Sequence, residues 1–272
     1  MNTRVIDTQQ IVEAFHHDGF VHIPEVLAKA EIEALKAKTD ELLDDPDLQA
    51  RFNVERHDPQ YVQTHQTDAG EKLPFILRNT IELDPLFSDM LVREPILGLA
   101  EALVGSDCRF CGQNVLRNLA GVAIDTWHVD GALHFPLPED VPRHEFRARP
   151  PVLWLTVQMA LSDIDSIEHG PTQYIPGSHL SGRHPNSQQD PEFEGRGPVS
   201  VFCKAGDIYL QDPQCWHRGA PNTSSRTRYL MQSQYAVNWA YCRFGWMNRV
   251  PATEQSLRSG SDRLLSLLGH RR

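Results

Sequence analysis

Val152-Leu153-Trp154-Leu155-Thr156-Val157-Gln158-Met159-Ala160-Leu161 is the stretch on which the fold turns. In an extended chain successive side chains point to opposite faces. Leu153, Leu155, Val157, Met159 and Leu161 therefore share one face, and Trp154, Thr156, Gln158 and Ala160 share the other. In a one-sided sheet the second row would meet water. In a closed barrel or sandwich with a wet interior it would line a cavity. The alternation is compatible with both.

Working outward, short β-like runs continue on either side. They are the segment CRFCGQNVLRN from Cys108, then Gly121–Ile124, Ser200–Phe202, Asp207–Leu210 and Arg228–Met231, separated by Gly, Pro, Asn and Asp. None alternates with helices in a βαβ manner, so a jelly-roll or cupin-like sandwich is expected. Before Cys108 the spacing is helical. Ile11, Val12 and Phe15 share a face that stops near Gly19; Phe20–Ile23 is a strand closed by Pro24; Ile32, Leu35, Leu42 and Leu43 mark a second helix. Asp44 to Asp84 is polar with weak periodicity and reads as a long connection of the lid or binding-loop kind. Helical pattern returns from Pro85 to Leu103, broken before Pro95 and stopped by Gly105. The expected organisation is one domain over 1–272, mainly β with flanking helices. A helical layer spans about 8–104, a β core about 108–240 and a C-terminal tail about 250–272.

The formal net charge of −10 argues against a nucleic-acid or anionic-membrane partner, either of which would need a basic surface. No apolar run approaches the roughly 18 residues of a membrane span, and MNTRVIDTQQ has no apolar core of an export signal. Cys108 and Cys111 form a lone CxxC, but on a strand residues three apart face opposite ways, so buried free thiols are expected. A cytoplasmic protein acting on a small molecule, with no obligate protein partner, fits these features.

Thr126-Trp127-His128-Val129-Asp130-Gly131 places an imidazole and a carboxylate two positions apart, on one face of an extended segment. His217, just beyond the strand-like Asp207–Leu210, is far enough along to return on a neighbouring strand. Two His and one carboxylate on one face of an octahedron leave three positions open, the arrangement of Fe(II) oxygenases. An HxD pair alone is a weak signal among 13 His and 36 acidic residues. Arg228 strengthens it, because a buried guanidinium near a metal calls for a carboxylate. A dicarboxylate such as 2-oxoglutarate would chelate the metal with one end and meet Arg228 with the other. Arg226 has the same parity but sits nearer the Asn222 turn and is expected at the surface.

HVDG (from His128), EHGPTQYIPGSH (Glu168–His179), GDIYLQDPQCWHRGAPN (Gly206–Asn222) and Arg228 together resemble the phytanoyl-CoA dioxygenase family of Fe(II)- and 2-oxoglutarate-dependent oxygenases. DGFVHIPEVL (Asp18–Leu27) resembles the family's opening, so the likeness runs from about residue 10 to 240. It implies a double-stranded β-helix core, iron on His128, Asp130 and His217, and 2-oxoglutarate on Arg228 with help from Thr156 and Gln158. It also implies O₂ as co-substrate and hydroxylation of a small or medium-sized metabolite, with desaturation or ring closure as variants. Retention of Asp130 disfavours halogenation. Gly219 stands where the family often has Ser, and His169 where it often has Asn. The Pro176–His179 turn is expected to be structural, with His179 outside the ligand set. Substrate contacts are expected from Asn53–Thr80 and Ala132–Pro151, with Trp127, Arg143 and Arg147 as candidates; Asp58, Asp68 and Glu71 would suit a cation instead. The competing readings are a lipid acyl-CoA hydroxylase, a silent cupin-like binding module and a zinc hydrolase.

Overall fold

The computed structural model describes residues 7–48, 62–66, 72–186, 190–245, 247 and 254–270. The chain opens with α1 (Thr8–Asp18), capped by Asp7, whose carboxylate accepts from the Gln9 and Gln10 amides, and ended by Gly19 at φ 82°. An acidic N-cap and a left-handed glycine are the residues those two positions favour. β1 (Phe20–Ile23) and α2 (Lys29–Leu43) follow; α2 buries Ile32, Leu35, Leu42 and Leu43, as their spacing predicts. The segment read as a long connection departs from expectation. Within it β2 (Val62–Gln66) and β3 (Lys72–Arg78) pair antiparallel, with a register shift between Gln63 and Thr64 opposite Pro74. A proline inside a short apolar run argues against a strand unless an irregularity absorbs it, and here one does. α3 (Pro85–Asp89) and α4 (Ile96–Val104) complete this part.

The rest is chiefly β: β4 (Arg109–Asn118), β5 (Ile124–His128), β6 (Trp154–Ala160), β7 (Thr172–Tyr174), β8 (Val199–Ser200), β9 (Ile208–Gln211), β10 (His217–Gly219) and β11 (Arg228–Ala236). Two sheets result, ordered β1-β9-β6-β11-β4-β3-β2 and β5-β10-β7-β8. Their pairings are antiparallel throughout. Ile76, Leu116, Ala160, Tyr209 and Leu230 of the first sheet share an apolar cluster with Tyr174 of the second, which joins the two as the jelly-roll, double-stranded β-helix core. Gly121–Ile124 is not a strand: Gly121 turns the chain at φ 81°, and only Ile124 enters β5. Val122 is buried for packing, which mimicked a strand residue.

β6 settles the two-faced pattern. It is buried along its whole length. Leu155, Val157, Met159 and Leu161 pack with Phe15, Leu35 and Leu97 of the helices, whereas Thr156 and Gln158 face a cavity between the sheets. Helices cover one side and the second sheet the other, so neither row meets bulk water. Cys108 and Cys111 are buried free thiols in different clusters. After β11 come α5 (Asn238–Arg243), α6 (Glu254–Ser259) and α7 (Asp262–Leu267). Leu264, Leu267 and Leu268 join the main core, so the expected tail closes the helical layer. No helix among the described residues is long and apolar enough to cross a membrane.

Gly170 fixes the approach of β7 to the exit of β10. It sits at φ +65°, and a Cβ there would lie 2.7 Å from the Ala220 carbonyl oxygen and 2.9 Å from the Asn222 nitrogen. Both are backbone atoms that cannot rotate away. Gly170→Ala is expected to cost about 2–4 kcal/mol, combining left-handed strain with this overlap. A urea midpoint unchanged from wild type would contradict it.

Candidate metal centre

β5 and β10 are neighbours, and their register sets His217 opposite His128. Asp130 follows two residues after His128, with its amide donating to the Pro213 carbonyl at 2.8 Å. Sequence spacing and strand pairing thus converge on one point. One ligand atom from each of His128, Asp130 and His217 lies within 4.8 Å of the others. Asp130 Oδ1 is 3.5 Å from His217 Nε2 and 3.7 Å from His128 Nε2. Donors about 2.1 Å from an octahedral ion stand about 3 Å apart, so a contraction of less than about 1 Å brings Oδ1 into place with each imidazole.

The imidazoles are already turned for this. His128 Nδ1 donates to the Thr126 carbonyl at 2.7 Å and His217 Nδ1 to the Cys215 carbonyl at 2.8 Å. Each Nδ1 therefore carries the hydrogen and each Nε2 offers its lone pair toward Asp130. Burial, aided by the neighbouring His217, holds His128 below the usual histidine range. Burial also opposes charge on His217 and on Asp130, yet their mutual attraction prevails, raising the first and lowering the second. The pocket favours a cation beside the carboxylate.

The three side chains open onto a cavity of about 210 Å³ that Thr156, Gln158, Gln211 and Arg228 also line. Arg228 is 4% exposed, and its Nε and Nη1 have no hydrogen-bond partner among the described residues. Burial pushes its pKa down from the usual arginine value. A guanidinium in that state calls for an anion, and a diacid reaching from the triad would supply one. The residues present fit a divalent ion and such a co-ligand. Arg226, by contrast, is at the surface, 3.7 Å from Asp165 and 3.2 Å from His169. A Cβ on Gly219 would lie 3.7 Å from Arg228 Nη2, an ordinary contact, so crowding does not explain the missing Ser side chain.

Thr156 and Gln158 also present orphaned buried oxygens, Oγ1 and Oε1. Their places differ, however. Gln158 pairs with Gln232 and Thr156 with Gln234 on β11. Thr156 is thus six residue steps, about 20 Å along the strand, from the row of Arg228. The two do not grip the same carboxylate. The expected substrate candidates are not brought to this cavity. Trp127 packs with Val129, Ile175, Phe193 and Trp216, with Arg218 over its ring at 4.9 Å. Arg143 pairs with Glu194 at 3.1 Å, and Arg147 is exposed on a helical turn. Parity explains Trp127: it precedes His128 and must face the other way. Ala132–Pro151 contributes instead to a separate cavity of about 30 Å³, shared with His16, His179 and Asp212. Burial holds His134 and His179 there down to about 4 and lifts Asp212 to about 7. His179 stands outside the triad, its Nε2 3.1 Å from the His16 carbonyl. Asp58, Asp68 and Glu71 lie outside the described residues.

The sequence reading missed Gln211, Asn114, Gln232 and Gln234, all of which line the triad cavity. Counting by twos from Arg228 would have reached the last two.

The sequence profile described as phytanoyl-CoA dioxygenase (PhyH) matches residues 15–230, from α1 through the triad and Arg228. The chain belongs to the phytanoyl-CoA dioxygenase family. A family relative, the phytanoyl-CoA dioxygenase domain-containing protein 1 homolog of Dictyostelium discoideum, is 23% identical over 253 residues, 82% of this chain and 88% of that one. Among solved structures, the epimerase SnoN in complex with Fe³⁺, α-ketoglutarate and nogalamycin RO superposes with a TM-score of 0.62 at 22% identity, over 84% of this chain and 83% of that one. HygX from Streptomyces hygroscopicus, with nickel and 2-oxoglutarate bound, gives 0.59 at 17% identity, over 85% and 87%. Family membership places the chain among Fe/2-oxoglutarate-type enzymes; the solved structures share its fold, and one of them is an epimerase.

Proposed function

We propose that this chain is an Fe(II)- and 2-oxoglutarate-dependent dioxygenase that hydroxylates an unactivated C–H bond of a small or medium-sized metabolite. The observation that carries the reading is Arg228, a buried cation without a counterion on the cavity that the His128–Asp130–His217 set opens onto. In this reading His128, Asp130 and His217 would hold iron, with 2-oxoglutarate and O₂ as its co-substrates. Bound there, the group supplies the oxidation of a C–H bond, with release of succinate and CO₂. The chain's own part is positional. Thr126 and Cys215 carbonyls set the imidazoles, Arg228 fixes the far carboxylate, and the second sheet excludes water. Gln158 lies on the metal side of the cavity, through its bond to Gln211. Residence in the cytoplasm and a single-domain organisation over 1–272 belong to the same proposal.

A zinc hydrolase would leave Arg228 unexplained. A silent binding module would have no use for imidazoles locked with Nε2 inward. A polyanionic acyl-CoA ester is disfavoured by the formal net charge of −10. The test is succinate formation with Fe(II), ascorbate and 2-oxoglutarate under air, with and without a panel of candidate metabolites. Low substrate-independent succinate, raised by a fitting metabolite, is expected. Failure of the metal-loaded chain to bind 2-oxoglutarate under anaerobic conditions would refute the reading.

A further inference from the structure

Gln211 ends β9 inside the cavity and is 1% exposed. Its carbonyl oxygen accepts two hydrogen bonds, from Gln158 Nε2 and from the Tyr174 hydroxyl, each at 2.8 Å. An amide oxygen can only accept, so the Tyr174 hydroxyl is the donor in this pairing. With the carbonyl so held, the amide nitrogen is turned to the triad, 3.0 Å from His217 Nε2 and 3.3 Å from Asp130 Oδ2. The opposite rotamer would set the amide nitrogen against the Gln158 donor and the carbonyl oxygen against a carboxylate. Both clashes oppose it.

The two oxygens of Asp130 are thereby given different partners. Oδ1 converges with the two imidazole Nε2 atoms, whereas Oδ2 faces Gln211. We infer that Gln211 is a positioning residue that holds Asp130 as a one-oxygen ligand, an assignment that rests on the metal site proposed above. A divalent ion competes with the amide for the His217 lone pair but not for Oδ2. The N–H donated to Oδ2 keeps that oxygen off the ion, and so preserves a position for a further ligand. The relay Tyr174–Gln211–Asp130 reaches from the second sheet through β9 to the metal. Outer partners of ligand side chains of this kind typically carry 10–100-fold in metal affinity.

The experiment compares wild type, Gln211→Met and Tyr174→Phe for Mn(II) uptake by anaerobic calorimetry, and for the visible spectrum of the Co(II) form. Met keeps the length of Gln without the donor, and its thioether is a poor ligand for hard Mn(II). Circular dichroism and the urea midpoint verify the fold. Gln211→Met is expected to weaken Mn(II) binding by roughly 10–100-fold, because the carboxylate loses the donor that orients it, and to change the Co(II) spectrum. Tyr174→Phe is expected to fall between it and wild type. If wild type takes up Mn(II) but both folded variants stay within twofold of it with the same Co(II) spectrum, the Gln211 assignment is overturned and the metal site stands. If wild type takes up neither ion, the metal site itself fails and Gln211 with it.

Discussion

Arg228→Met is expected to weaken 2-oxoglutarate binding by roughly 10²–10³-fold and, in the same protein without 2-oxoglutarate, to raise stability. The two signs come from one fact. Arg228 is almost fully buried, with Nε and Nη1 unpartnered, so the folded chain carries a desolvated charge on which no carboxylate among the described residues is placed. Replacing such a charge with an apolar side chain of similar length is often neutral or stabilising by about 1–4 kcal/mol. When the diacid is present the balance inverts, because its far carboxylate is left buried without a cation, at about 2–5 kcal/mol. Arg226→Met serves as the control. Arg226 is exposed beside Asp165 and His169, so its loss is expected to leave 2-oxoglutarate affinity unchanged. The measurements are anaerobic titration of the Mn(II)-loaded chain with 2-oxoglutarate and urea midpoints without it. Equal affinity in Arg228→Met and wild type would remove the arginine from the co-substrate site.

The place of Arg228 on the cavity was legible in the sequence because position and chemistry agreed: it opens a strand, follows the distal histidine and cannot shed its charge. The triad was legible for a similar reason, since HxD needs only the two-residue period of a strand. The wet side of β6 was not decided by its own alternation. Leu155 and Thr156 are equally buried, and what distinguishes their environments is which sheet or helix the rest of the chain folds against them. Pro74 hid β3, because its tolerance depends on a register shift in β2 that no local pattern records. Asp125 and Thr126 hid β5, whose exposed first residues show no alternation, while the buried Val122 of the preceding turn mimicked one. Gln211 was invisible for a deeper reason. Its meaning lies in bonds to Tyr174, Gln158 and Asp130, between 37 and 81 positions away. Arg143 and Arg147 differ: they are not brought to the triad cavity. A basic cluster reads as a binding loop in any sequence, but Arg143 is answered by Glu194 and Arg147 stays in solvent.

His217→Ala is expected to lower divalent-metal affinity by roughly 10²–10³-fold and to abolish 2-oxoglutarate-dependent succinate formation. A four-ligand structural zinc site is worth about 10–16 kcal/mol, which assigns about 2.5–4 kcal/mol to one ligand and hence this loss. His217 should sit at the upper end and His128 at the lower. The His217 side chain is 8% exposed, pinned by the Cys215 carbonyl and by Gln211, and lies against Tyr174 at 5.9 Å. The His128 side chain is 34% exposed, so water can stand in for it more readily. His217 also acts on its neighbour. Burial pushes the Asp130 carboxyl up, and the two imidazoles, His217 before His128, bring it down; without His217 a proton competes better for the same oxygen. Loss of one side chain thus weakens two of three ligands. Calorimetry with Mn(II) on His217→Ala, His128→Ala and wild type should rank them in that order of damage, with 2-oxoglutarate no longer bound by the first. Affinity in His217→Ala within threefold of wild type would mean that the ion, if any, sits elsewhere, and the orientation of both imidazoles by carbonyls at their Nδ1 atoms would then have no metal to serve.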